Sequence, residues 1–171
     1  MDLTLAGGAS GGGTLGWRAF YYSTYMTSAH LNNIASVGME CFSTSTKLAN
    51  ITFDYTNQSY GNALGFDKNA FQKCSKLKQI NIHVYAPSGG SATLSFGNLM
   101  LNACSTMQRI IIKVSGSGSL NFTCDSNIWG DATHYCTVYV SSSYLNTVRT
   151  AAGSLFDSYR QLENTPWDPF S

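Results

Sequence analysis

The stretch AFQKCSKLKQINI, residues 70–82, sets apolar or small side chains at Phe71, Cys74, Leu77, Ile80 and Ile82, in steps of three, three, three and two. The same spacing returns without a gap at Phe20, Ser23, Met26, Ala29 and Leu31, at Phe42, Ser45, Leu48, Ile51 and Phe53, and at Leu101, Cys104, Met107, Ile110 and Ile112. A fifth, degraded copy runs through Trp129, Ala132, Tyr135, Val138 and Val140. First positions at 20, 42, 71, 101 and 129 are 22, 29, 30 and 28 residues apart. A fixed period of about 20–50 residues is the mark of stacked repeats, because one such unit cannot bury both its faces alone. The last two apolar residues of each unit flank one outward residue, as a short strand with one buried face requires. The preceding Phe and Cys, three apart, suit a helical or 3₁₀ turn over the same core. Between units, ALGF, TLSF and LNFTC alternate well enough to form a second strand on the opposite flank. The pattern predicts an α/β repeat solenoid of about five units, with short parallel strands and short helices.

The period stops at Val140. The following SSSYLNTVRTAAG places Tyr144, Leu145, Val148 and Ala152 near one helical face, with Ser142 or Ser143 as cap and Gly153 as stop. This is a C-terminal capping helix, needed to cover the last repeat. Pro166 and Pro169 exclude a helix beyond it. The chain divides into a Gly-rich N-terminal segment (1–14), a solenoid (15–140), and a capping helix with an aromatic tail (141–171).

Composition narrows the function. Only 11% of residues are charged and the net charge is +1, so no basic field exists for nucleic acid. No apolar run reaches the roughly 20 residues of a membrane helix, and the opening MDLTLAGGASGGGTLG lacks the basic start and apolar centre of a signal peptide. The five cysteines form no CxxC pair, and His30, His83 and His134 sit at no zinc-like spacing. No GxSxG, HExxH or P-loop occurs, and GSGS at residues 116–119 lacks the lysine of a phosphate cradle. The expectation is a protein that is no enzyme and uses no cofactor or metal.

AFQKCSKLKQINI resembles the AFxxCxxLxxIxI core of the BspA-type (Treponema pallidum-like) leucine-rich repeat family, and the match covers about residues 15–140. Tyr139, Val140, Tyr144 and Arg149 fill the places of that family's closing strand and helix, whereas Ser23 and Ser45 stand where it prefers Cys. The resemblance implies a leucine-rich-repeat solenoid, curved and non-catalytic, used for attachment or protein recognition.

Two groups of residues are candidates for contact. His30, Thr52, Asn81, Ile111 and Tyr139 each lie between the last two buried positions of a unit, so stacked strands put them in one column on the open sheet face. The aromatic residues Trp17, Tyr21, Tyr22 and Tyr25, with Trp167 and Phe170 of the tail, form either a cap or a contact with another subunit. Cys74 and Cys104, at equivalent positions, are read as small packing residues with raised pKa and low reactivity. The leading expectation is a module binding protein or glycan on a cell or particle surface, without nucleic acid or membrane insertion. The alternative is a structural subunit of a larger assembly, such as a phage virion decoration, fibre or tail protein, and the chain as a homo-oligomer fits either. The location is correspondingly extracellular or cell-surface, or the virion.

Overall fold

The computed structural model describes residues 1–7, 12–56, 63–130, 134–165 and 169–170. Where apolar side chains alternate, the chain is extended, and each strand pairs in parallel with the strand of the next repeat. The first sheet runs β1 (Asp2–Ala6), β3 (Ser28–Asn32), β5 (Asn50–Tyr55), β7 (Gln79–Ala86), β9 (Arg109–Gly116), β11 (Thr137–Val140) and β12 (Ser158–Gln161). The second runs β2 (Gly13–Leu15), β4 (Ile34–Val37), β6 (Ala63–Phe66), β8 (Ser91–Phe96) and β10 (Ser119–Cys124). The strand expected in each unit's second half is therefore present, with ALGF, TLSF and SLNFTC as β6, β8 and β10. The whole is a parallel β-solenoid of about four turns closed by one short helix, fewer than the five units expected.

The short helices expected inside the repeats are not formed among the described residues, and the hydrogen bonds say why. In the turn around Phe42, the N–H groups of Cys41, Ser43 and Ser45 bond back to Gly38, Glu40 and Phe42, as i to i−3 turns do. The alternate N–H groups of Glu40, Phe42 and Thr44 leave the turn and donate to the carbonyls of Lys68, Ala70 and Gln72 in the next repeat. Arg18, Phe20 and Tyr22 donate likewise to Met39, Cys41 and Ser43, and Asn69, Phe71 and Lys73 to Asn98, Met100 and Asn102. A helix would need all these donors internally. Aiming half of them at a neighbour puts residues such as Arg18 and Tyr22, Glu40 and Thr44, or Asn69 and Lys73 in the left-handed region, at φ from 56° to 64°. Such residues cost about 1–3 kcal/mol each, offset by a third ladder of backbone bonds. The solenoid thus has three walls, two sheets and one column of turns.

Inside, the first aromatic of each turn stacks on the next, Phe20 on Phe42 at 5.2 Å and Phe42 on Phe71 at 5.5 Å between centroids. Phe53, Phe66, Phe96 and Phe122 meet edge to face across the remaining core. The small residue three places on is more than small. Cys74 Sγ donates to the Phe42 carbonyl and Cys104 Sγ to the Phe71 carbonyl, each at 3.0 Å, and Ser45 Oγ donates to the Phe20 carbonyl at 3.0 Å. Ala132, the fifth member of that column, lies outside the described residues.

At the C-terminal end a 3₁₀ turn, Ser142–Tyr144, leads into α1 (Leu145–Ala152), which stops at Gly153 with φ 56°. No side chain caps its start, contrary to the serine expected there. Its Val148 and Ala152 are buried against the solenoid's end, where α1 lies on β10, and Tyr144 donates to the Gly118 carbonyl at 2.8 Å. The chain then returns, packing Phe156 on Trp129 and adding β12 beside β11.

Candidate functional site

The outward residues of the first sheet stand in register across all seven strands. Thr4 pairs with His30, His30 with Thr52, Thr52 with Asn81, Asn81 with Ile111, Ile111 with Tyr139, and Tyr139 with Arg160. Parallel pairing repeated without a slip turns one position per repeat into a column. Sequence periodicity located the five middle members. It missed Thr4 and Arg160, although the alternation of DLTLA carries the first of them.

The column is not uniformly open. His30 and Thr4 are exposed and Thr52 and Tyr139 half-buried, but Asn81 is 6% and Ile111 0% exposed. These two residues were expected to face solvent. They do face away from the core, and the C-terminal segment returns over that part of the sheet. The 3₁₀ turn Leu162–Asn164 lies against β9, with Leu162 itself buried, and the Phe170 ring sits 5.0 Å from the His83 ring. Asn81 is satisfied within the sheet, accepting from Gln79 Nε2 at 2.6 Å and donating to Thr52 Oγ1 at 3.0 Å. His83 adds Nδ1 at 3.5 Å from an Asp54 carboxylate oxygen and Nε2 at 3.2 Å from Ser115 Oγ.

The longer open part is therefore the one formed by β1, β3 and β5, with Arg160 of β12 exposed at the opposite end. Thr4, His30 and Thr52 run down its middle, flanked on one side by Asp2, Ser28 and Asn50 and on the other by Asn32 and Asp54. Its chemistry is mostly neutral hydrogen bonding. Asp2 is held by Ser28 Oγ at 2.6 Å and Thr27 Oγ1 at 3.1 Å, hydrogen bonds that lower its pKa.

The aromatic candidates do not form one group. Trp17, Tyr21, Tyr22 and Tyr25 are exposed together at the N-terminal end, with the Arg18 guanidinium 4.7 Å from the Trp17 ring and 4.8 Å from that of Tyr21. Phe170 lies on the sheet face instead, and Trp167 is outside the described residues. The thiols are withdrawn. Burial pushes Cys41, Cys104 and Cys124 up to about 12, and Cys74 well above its ordinary value. Among the described residues no three His, Cys, Asp or Glu side chains gather as metal ligands, and no helix is long and apolar enough to cross a membrane.

Parallel strands in register, a ladder of turns and one faced sheet define a repeat solenoid, a class that is typically a non-catalytic binding scaffold. The family follows from the chain itself: a family model described as a BspA type leucine rich repeat region matches residues 13–128 in six copies. The protein belongs to the BspA-type leucine-rich repeat family, whose members are commonly surface-associated protein-binding modules. No curated protein and no solved structure matches the chain.

Proposed function

We propose that this solenoid is a recognition and attachment module that engages protein or glycan on a cell or particle surface through the open half of its first sheet. The observation that carries the reading is the register: Thr4, His30 and Thr52 form one outward row on β1, β3 and β5, while the same row is covered from Asn81 to Ile111. A row of hydroxyl and imidazole groups at strand spacing, flanked by the amides of Asn50 and Asn32 and the carboxylates of Asp2 and Asp54, offers donors and acceptors in alternation. Each contact of this kind is weak, so attachment through many copies is the mode it suits. Replacing Thr4, His30 and Asn50 with alanine together, at exposed positions outside the core, leaves the melting curve in place and weakens binding to a glycan array or to cells. Unchanged binding by a folded triple variant removes the sheet face from consideration.

A further inference from the structure

The two ends of the solenoid are built differently. At the C-terminal end α1 covers β10, β12 covers β11, and Trp129 is closed over by Phe156 and donates to the Leu155 carbonyl at 2.7 Å. At the N-terminal end β1 and β2 are edge strands. There the large exposed apolar side chains gather: Met1, Trp17, Tyr21, Tyr22, Tyr25 (77% exposed) and Met39, with Tyr135 the other such residue among the described ones. Tyr22, Tyr25, Met1 and Met26 line a recess of about 310 Å³ over Phe20. That ring is stacked on Phe42 and only partly covered.

The turn ladder gives this end a polarity. In every repeat, alternate N–H groups donate forward to the carbonyls of the next turn, so each turn's own carbonyls are filled from the turn before it. The first turn has none before it. Among the described residues, the carbonyls of Trp17, Ala19 and Tyr21, equivalent to those of Met39, Cys41 and Ser43, accept no backbone N–H. Ser23 occupies the place from which Ser45 and Cys74 donate to the preceding turn's Phe carbonyl. The end is a template for one more turn.

We propose that the N-terminal end docks a polypeptide segment of a partner protein, which joins as an added turn. The segment supplies backbone N–H groups on alternate residues to the carbonyls of Trp17, Ala19 and Tyr21, and seats one aromatic or branched apolar side chain over Phe20. A second copy of this chain does not fit. Its N-terminal end would bring acceptors against acceptors, and its other end is covered by α1 on β10 and by Phe156 on Trp129. A glycan lacks the alternate-residue donor spacing that the inner turns repeat at Arg18, Phe20 and Tyr22, at Glu40, Phe42 and Thr44, and at Asn69, Phe71 and Lys73. Addition of a segment to a pre-formed backbone edge is a known mode of peptide recognition, with main-chain bonds giving affinity and side-chain pockets giving specificity. This surface is separate from the open sheet face, and either can fail without the other.

A labelled peptide spanning residues 67–86 of this chain, which carries the donors of Asn69, Phe71 and Lys73 and strand β7, is the probe for fluorescence anisotropy against the full chain. Saturable binding is expected. A Phe71→Ala peptide binds about tenfold more weakly or worse, as loss of a central apolar anchor does, and a peptide N-methylated at residues 69, 71 and 73 does not bind. On the protein side, Tyr22→Asn, chosen because Asn tolerates the left-handed backbone there, combined with Tyr25→Ser weakens binding with the melting curve unchanged. No saturable binding, equal binding by the N-methylated peptide, or a dimer in sedimentation that the Tyr22→Asn/Tyr25→Ser variant dissociates would each overturn the proposal.

Discussion

Substitutions at Cys74 separate two reasons for a small residue at that position. If size alone is selected, alanine serves as well as serine. If the donor to the preceding carbonyl matters, serine is better. Cys74 is fully buried, with Sγ 3.0 Å from the Phe42 carbonyl, which also accepts the Ser45 N–H at 3.1 Å. Removing the thiol therefore leaves the carbonyl with one bond of two, and the loss falls in the ordinary net range of about 0.5–1.5 kcal/mol rather than that of a fully orphaned acceptor. The missing sulfur adds about 0.5–1.5 kcal/mol of lost packing, the scale of an Ile→Val change. Cys74→Ala thus costs about 1–3 kcal/mol, or roughly 2–12 °C in melting temperature for a chain of this size. Cys74→Ser keeps a donor, as Ser45 does in the preceding repeat, and stays within about 1 kcal/mol of the parent. Cys74→Val restores volume without a donor and adds a branch, costing about 1–3 kcal/mol by overpacking. Urea unfolding followed by circular dichroism gives the order, with an unchanged slope confirming that stability alone moved. An alanine variant as stable as the serine variant refutes the donor argument.

Two further perturbations test other parts of the scaffold. Asp125 accepts the Asn127 N–H at 2.9 Å and Asn98 Nδ2 at 3.0 Å, and these bonds hold its pKa below the ordinary 3.8. The folded value being the lower one, the stability it contributes is complete above the unfolded value and is lost as pH falls through the folded one. Melting temperature should therefore drop on acidification below about pH 4, less steeply in Asp125→Asn; superimposable pH profiles would count against it. Deleting residues 141–171 uncovers the end of β10 and removes the cover from Ile111, with aggregation or loss of cooperative melting as the expected result. A soluble truncation that melts like the parent would show that the cap is dispensable.

Much of this architecture was legible because apolar spacing is a direct consequence of burial. Ile80 and Ile82, Ile110 and Ile112, Val138 and Val140 point inward because their strands have one buried face, and that alternation survives in the letters. It also placed His30, Thr52, Asn81, Ile111 and Tyr139 in one column. The turns were misread for a physical reason. Phe71 and Cys74, three apart, satisfy a 3₁₀ or helical spacing as well as they satisfy a turn whose alternate donors serve a neighbour, and no residue type announces the difference, since Arg18, Tyr22, Lys73 and Leu99 are unremarkable letters at left-handed positions. Nor could spacing show that Leu162 and Phe170 return to the first sheet. Leu162 and Phe170 belong to no repeat, so their contact with β9 and His83 is a tertiary event without a periodic signal.

The return of that segment decides where recognition is placed. A row of outward residues on a regular solenoid offers equal positions from end to end, and nothing in the repeat favours one over another. Covering Asn81 and Ile111 breaks the equivalence, so the sheet is left open as a continuous row only along β1, β3 and β5, apart from Arg160 at the far edge. Those are the strands nearest the end where Trp17, Tyr21, Tyr22 and Tyr25 are exposed. The C-terminal half of the chain thus closes both its end and its face, and the accessible sheet face and the aromatic end adjoin along the edge strand β1. A partner held at that edge could meet backbone acceptors on one side and the Thr4, His30 and Thr52 row on the other, so a variant in either row should weaken, rather than abolish, attachment of a partner that spans both.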